Sequence, residues 1–251
     1  MAVIDFVYLT LTTIRVIIGI NLILVGRKSK QKALYYLALN SFLLGTGMIF
    51  SMELIFPDIF IFTLLSLGSY FPSVYFIYLA FFQDRKFPLK LILILTSTFM
   101  TLSLIFTAYY QYVHTIPLPY QISFIFFGLD LILVSGLIVY SLNGAYAVIK
   151  PREYVEPWIK SRYKLVIINK IAYLATGFSF FLSGVLMADP EMSVFTYVIV
   201  LCQLIAITTD FLAWIMPKWF MKYLNRNYVE TPEKEMTEEE IMADLKKGGK
   251  E

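Results

Sequence analysis

The chain has 251 residues, of which 59% are hydrophobic and 17% aromatic, and its mean hydropathy is +0.70. That is far more apolar surface than one soluble core can absorb, so a soluble domain is excluded and an all-α integral membrane protein is expected. A net charge of +3 with one cysteine and one histidine leaves no intramolecular disulfide, no thiolate metal site and no His-rich zinc or haem site.

A bilayer core about 30 Å thick needs roughly 20 mostly apolar residues per helix. Seven such stretches occur in order, at about 4–25, 33–54, 60–82, 89–109, 120–142, 164–187 and 193–216. The connectors are short and carry the breakers, as in "MELIFPD", "QDRKFP", "HTIPLP", "VIKPREYVEP" and "MADPEM". "MAVIDFVYL" lacks a basic leader and its apolar run contains Arg15, so the first helix is expected to stay in the mature protein.

Basic residues alternate with the connectors. Arg27, Lys28, Lys30 and Lys32 follow the first helix, Arg85, Lys86 and Lys90 the third, and Lys150, Arg152, Lys160, Arg162 and Lys164 the fifth. Lys218, Lys222 and Arg226 follow the seventh, whereas the intervening connectors hold only acidic groups such as Glu53, Asp58, Asp189 and Glu191. The positive-inside rule then predicts a cell-membrane protein with the N-terminus outside and the C-terminus cytoplasmic. The excess charge faces anionic lipid and not nucleic acid.

The expected organisation is a bundle over 1–217, an interfacial amphipathic helix over 218–228 and a charged cytoplasmic tail over 229–251. In "PKWFMKYLNRNYV", Trp219, Phe220, Tyr223 and Leu224 recur at helical spacing against Lys218, Lys222 and Arg226, which suits a helix lying in the interface. The tail has a capping box, Thr237 with Glu240. The basic connector before helix six, with Arg152, Trp158, Lys160 and Arg162, is the candidate surface for a cytoplasmic signalling partner.

Four ionisable residues interrupt the apolar runs: Arg15, Asp130, Lys170 and Asp210. Each costs about 2.5–3.5 kcal/mol at a helix centre, so each calls for a partner or a wet cavity. Depth counted from the helix ends at 1.5 Å per residue pairs Arg15 with Asp130 near the midplane, and Lys170 with Asp210 nearer the inner face. Polar stripes share faces with these charges. Thr196, Gln203 and Asp210 recur on helix seven, Asn169, Thr176 and Ser183 on helix six, and Tyr8, Thr12 and Arg15 on helix one. Such stripes serve helix packing or line a polar pocket. Pro72 in "GSYFPSVY" removes a backbone donor and predicts a kink in helix three.

Catalysis finds no support. There is no nucleotide loop, and the only histidine, His114, sits in the tyrosine-rich border "YYQYVH" that reads as an interfacial belt. Asp130 and Asp210 differ in counted depth by roughly 9 Å, too far for a protease dyad sharing one proton. "FFGLDL" also lacks the Gly-x-Gly-Asp pattern of intramembrane aspartyl proteases. No enzyme and no cofactor are expected.

In "LGSYFPSVYFIYLAFFQDRKFP" and "DFLAWIMPKWFMKYLNRNY" the chain resembles the seven-helix sensory regions at the N-termini of prokaryotic histidine kinases, over about residues 1–228. The resemblance implies a sensor or receptor whose ligand is a small molecule, lipid or proton, and whose output passes to a separate protein. A retinal protein would carry a Schiff-base lysine in helix seven, and residues 193–216 contain none. Two other readings stand beside the sensor. One is a proton or cation transporter or channel using Asp130 and Asp210, although no internal repeat is seen. The other is a structural assembly subunit joined by its buried charges.

Overall fold

The computed structural model describes residues 2–50, 59–82, 89–113, 118–152, 155–187 and 194–228. These form eight helices and no strand: α1 (Ala2–Ser29), α2 (Lys32–Phe50), α3 (Ile59–Phe82), α4 (Leu89–Val113), α5 (Leu118–Ile149), α6 (Pro157–Val185), α7 (Val194–Ile215) and the short α8 (Lys218–Leu224). The acidic connector residues, Arg85, Lys86, His114 and the tail with its capping box lie outside the described residues.

Each of the first seven helices packs against its neighbours in sequence, and α7 returns to pack on α1. The result is a closed ring of helices. Successive partners are antiparallel: Thr12 on α1 bonds the Gly45 carbonyl of α2, while Gly26 near the end of α1 meets Leu34 and Tyr35 near the start of α2. α1 and α7 run parallel, with Arg15 beside Asp210 and Asn21 beside Trp214.

Among the described residues, five helical segments are long and apolar enough to cross a membrane: Leu9–Ser29, Lys90–Tyr109, Gln121–Ile149, Pro157–Val185 and Val194–Ile215. Their surface is inside-out relative to a soluble protein. Leu9, Ile20, Leu24, Leu91, Ile94 and Leu201 are exposed, whereas Arg15, Asn40, Asp130, Asn169, Lys170 and Asp210 are buried. Only an apolar surround stabilises that distribution, and the chain is a multi-pass membrane protein.

The closest helix contact is between α5 and α6, and glycine makes it. A Cβ at Gly128 would lie 2.6 Å from the Gly177 carbonyl oxygen, and one at Gly184 would lie 2.5 Å from the Gln121 carbonyl oxygen. Small residues matter here because helices in lipid associate by close van der Waals packing, without a hydrophobic driving force between them. Between α4 and α5 the contact is polar instead: Ser103 and Thr107 both share hydrogen bonds with Ser123.

The expected helix ends shift outward in four places, α4 among them, which runs to Val113 rather than about 109. α1 extends to Ser29 rather than about 25, α5 to Ile149 rather than about 142, and α6 begins at Pro157 rather than about 164. Pro157 occupies the first turn of α6, where its missing N–H costs nothing. Most of what reads in sequence as a long basic loop is therefore helix. α3 continues through Pro72, with the next turn tied by Ser73 Oγ donating to the Tyr70 carbonyl (2.6 Å) and Asn40 donating to the Ser73 carbonyl (2.8 Å).

α7 ends sharply. Met216 takes φ 40°, in the left-handed region, and Pro217 then caps α8. Lys30 after α1 (φ 54°) and Met187 after α6 (φ 50°) take the same conformation. Such residues close a helix by freeing the chain to turn away, at a steric cost that glycine would avoid.

Candidate functional site

Among the described residues the interior holds one ion pair, and it is not either pair that depth suggests. Arg15 of α1 donates through Nη1 to Asp210 Oδ2 of α7, and through Nη2 to the Tyr173 hydroxyl of α6. All three are buried. Lys170 forms no ion pair among the described residues, and its ammonium lies 5.0 Å from the centre of the Tyr173 ring. The expected Lys170–Asp210 and Arg15–Asp130 pairs are therefore corrected to Arg15–Asp210, with Lys170 beside that pair and Asp130 away from it.

The physical reason is register. Counting depth from helix ends assumes that the ends are level. Asn21 of α1 donates to the Trp214 carbonyl of α7 (2.7 Å). Eight residues of α1 follow Asn21 and one of α7 follows Trp214, so α1 projects about 10 Å further at 1.5 Å per residue. That offset brings Arg15 level with Asp210.

Gly45 makes room for the arginine. A Cβ there would stand 3.3 Å from Arg15 Cβ, so a larger residue on α2 would press directly on the ion pair. Asn169 on α6 holds the other side of α7, donating to the Ala206 carbonyl (2.6 Å) one turn before Asp210. Guanidinium, carboxylate, phenol and amide thus tie α1, α6 and α7 at one depth. Next to them a narrow cleft, with space for about one water (≈ 10 Å³), is lined by Lys170, Asp210, Asn40, Ser41 and Trp214. Its further walls, Leu22, Phe81 and Val166, lie toward the end of the ring where the basic residues gather.

Asp130 has a different setting. It is fully buried on α5, and neither carboxylate oxygen has a hydrogen-bond partner. The hydroxyls of Tyr70 on α3 and Thr96 on α4 are its polar neighbours. The Tyr70 hydroxyl is also within electrostatic range of Tyr173.

The other expected site residues divide. Thr12 and Asn169 bond across helices as interior groups. Thr176 is buried but donates to the carbonyl of Ala172 in its own helix (3.0 Å), which places it with packing. Gln203 is only half-buried, and the side chain of Tyr8 lies outside the described residues. Spacing does not pick out Asn21, Asn40 or Tyr173, whereas Tyr70 shares the polar stripe of helix three with Ser66 and Ser73. A lone asparagine in an apolar helix is a usable signal, because its amide must find a carbonyl there; Tyr173 gives none, since most tyrosines in such chains are interfacial.

At the basic end, Trp158 and Arg162 are engaged within the chain. The Trp158 indole donates to Glu156 (2.6 Å), which also accepts from Asn225 (2.7 Å), and Asn225 accepts from the Trp158 backbone N–H (3.3 Å). The Arg162 guanidinium lies over the Trp158 ring at 4.7 Å. The start of α6 is thereby locked to the turn after α8, and Lys160 reaches back to the Lys150 carbonyl (3.1 Å). Arg152 donates its backbone N–H to the Ile149 carbonyl (3.2 Å) in the turn after α5. On α8, Lys218, Trp219, Lys222 and Tyr223 are exposed.

The geometry defines a multi-pass helical membrane protein with an ion-paired interior and a basic end. No protein-family model, curated protein or solved structure matches the chain.

Proposed function

We propose that the chain is a seven-transmembrane, sensor-like protein of the cell membrane, with its N-terminus outside and its basic end cytoplasmic. The bundle receives a small molecule, lipid or proton, and a separate cytoplasmic signalling protein reads the result. The observation that carries this reading is the Arg15–Asp210 pair with Tyr173, which ties three helices at one depth. The same α6 and α7 lead directly into the basic surface formed by α6, the turn after α5 and α8. A buried pair joining helices has two discrete states, made and broken, and a stimulus that favours one moves the helix ends.

Seven crossings are supported by the antiparallel packing of α2 along α1 and by the parallel course of α1 and α7. The one-sided placement of Lys and Arg supports the orientation. The seam between α6 and the turn after α8 supports a readout surface that moves as one unit.

The competing reading, conduction through Asp210 and Asp130, calls for a continuous polar path. Here the cleft at Asp210 does not include Asp130 among its lining residues, and Leu131, Tyr173 and Ala206 pack in an apolar cluster in this part of the interior. The test is ion flux through purified protein in liposomes, comparing wild type with Asp210→Asn and Asp130→Asn. The sensor reading expects no proton or cation flux in any of the three. Flux in wild type that both substitutions abolish would replace the sensor with a conduction pathway.

A further inference from the structure

Among the described residues, Asp130 is the buried carboxylate that the Arg15 cluster does not use. It is completely buried, both its oxygens lack a hydrogen-bond partner, and its polar neighbours include the hydroxyls of Tyr70 and Thr96. From α3 come Tyr70 and, further off, Tyr78; from α4 comes Thr96, whose hydroxyl lies 3.5 Å from that of Tyr78. On α6, Tyr173 interacts with Tyr70 and Arg15, and the α6 face opposite Asp130's helix is built on Gly177 against Leu131 and Ile132. No cationic side chain among the described residues is paired with it.

A bare carboxylate in that place would have no solvent, no counter-charge and no made hydrogen bond, a costly state for a buried charge. One unit of positive charge removes the cost. We propose that Asp130, Tyr70, Thr96 and Tyr78 form a binding site for one small monovalent cation, a proton or an alkali-metal ion, held between α3, α4 and α5. The charge count sets the class: a divalent ion beside a single carboxylate leaves a net charge in the membrane interior. Burial sets the size, because a wholly enclosed carboxylate favours a bare ion over an organic cation. The donors are all hard oxygens, which suit a proton or an alkali ion and not a soft metal. In the protonated form the new O–H donates to a neighbouring hydroxyl; in the metal form the carboxylate and hydroxyl oxygens replace water around the ion.

This inference does not rest on the sensor reading, since it concerns only the occupancy of Asp130. The test is infrared spectroscopy of the full chain in lipid, as a wild-type minus Asp130→Asn difference spectrum in sodium, potassium and N-methylglucamine media over a range of pH. A carboxylic-acid carbonyl band present at neutral pH in all media, and lost in Asp130→Asn, identifies the proton. A band that appears only when sodium or potassium is replaced by N-methylglucamine, with a matching fall in the thermal unfolding midpoint, identifies the alkali ion. Tyr70→Phe and Thr96→Val keep the carboxyl and shift its band, so the site is read even where Asp130→Asn folds poorly. An ionised-carboxylate signal from Asp130 under every condition, with no effect of the cation on unfolding, would overturn the proposal.

Discussion

Two buried carboxylates, one turn of chemistry apart in kind, separate the two halves of this bundle. Asp210 meets a guanidinium, which in turn meets a phenol, and the group fixes α7 against α1 and α6. Asp130 meets hydroxyls without bonding any of them. The lesson is that burial alone does not assign a role to an intramembrane charge; the partner does. On the α1–α6–α7 side the carboxylate fastens helices through its ion pair, and on α5 the carboxylate is buried with no ion-pair partner among the described residues.

The contrast breaks most easily at the ion pair. Asp210→Asn leaves Arg15 buried and uncompensated, and a loss of about 3–5 kcal/mol in unfolding free energy is expected, read as thermal or denaturant unfolding in detergent. Removing both charges in Arg15→Met/Asp210→Leu should recover most of that loss, since a well-packed apolar pair often matches a buried ion pair. If the double variant is as unstable as the single, the pair is not acting as a unit.

Tyr173→Phe removes one hydroxyl from a charged donor and keeps the ring under Lys170. A smaller cost, about 1.5–3 kcal/mol, is expected by the same unfolding assay. Gly184→Ala tests a part of the fold that neither carboxylate governs: the added Cβ meets the Gln121 carbonyl at 2.5 Å, and overpacking of about 1–3 kcal/mol should follow. The smallest effect belongs to Asp130→Asn, which is expected to lie within about 1 kcal/mol of wild type, because an amide of the same shape replaces a group that has no ion-pair partner to strand. A loss there equal to that of Asp210→Asn would erase the distinction between the two carboxylates.

Much of the architecture is legible in the sequence because hydropathy is local. An apolar run of about 20 residues has to be a helix in lipid whatever surrounds it, and Arg15, Asp130, Lys170 and Asp210 stand out because an apolar helix has no use for them. The pairing is not legible. It depends on how far α1 projects beyond α7 and on which helices are neighbours across the ring, and both are set by contacts such as Asn21 to Trp214 and Gly45 to Arg15. The start of α6 is hidden for another reason: "PWIKSRYK" is charged and opens on a proline, which reads as loop, whereas proline at the first helical position begins a helix. Trp158 and Arg162 look partner-facing for the same reason and are occupied by Glu156, Asn225 and each other.

The central claim is that Arg15–Asp210 fixes α7 against α1. Its most direct test is a spin-label distance between Lys28→Cys on α1 and Lys222→Cys on α8, both exposed positions, with Cys202→Ser removing the native thiol. A narrow distribution in the parent should broaden or shift in Asp210→Asn and narrow again in Arg15→Met/Asp210→Leu. Superimposable distributions in the parent and Asp210→Asn would contradict the account.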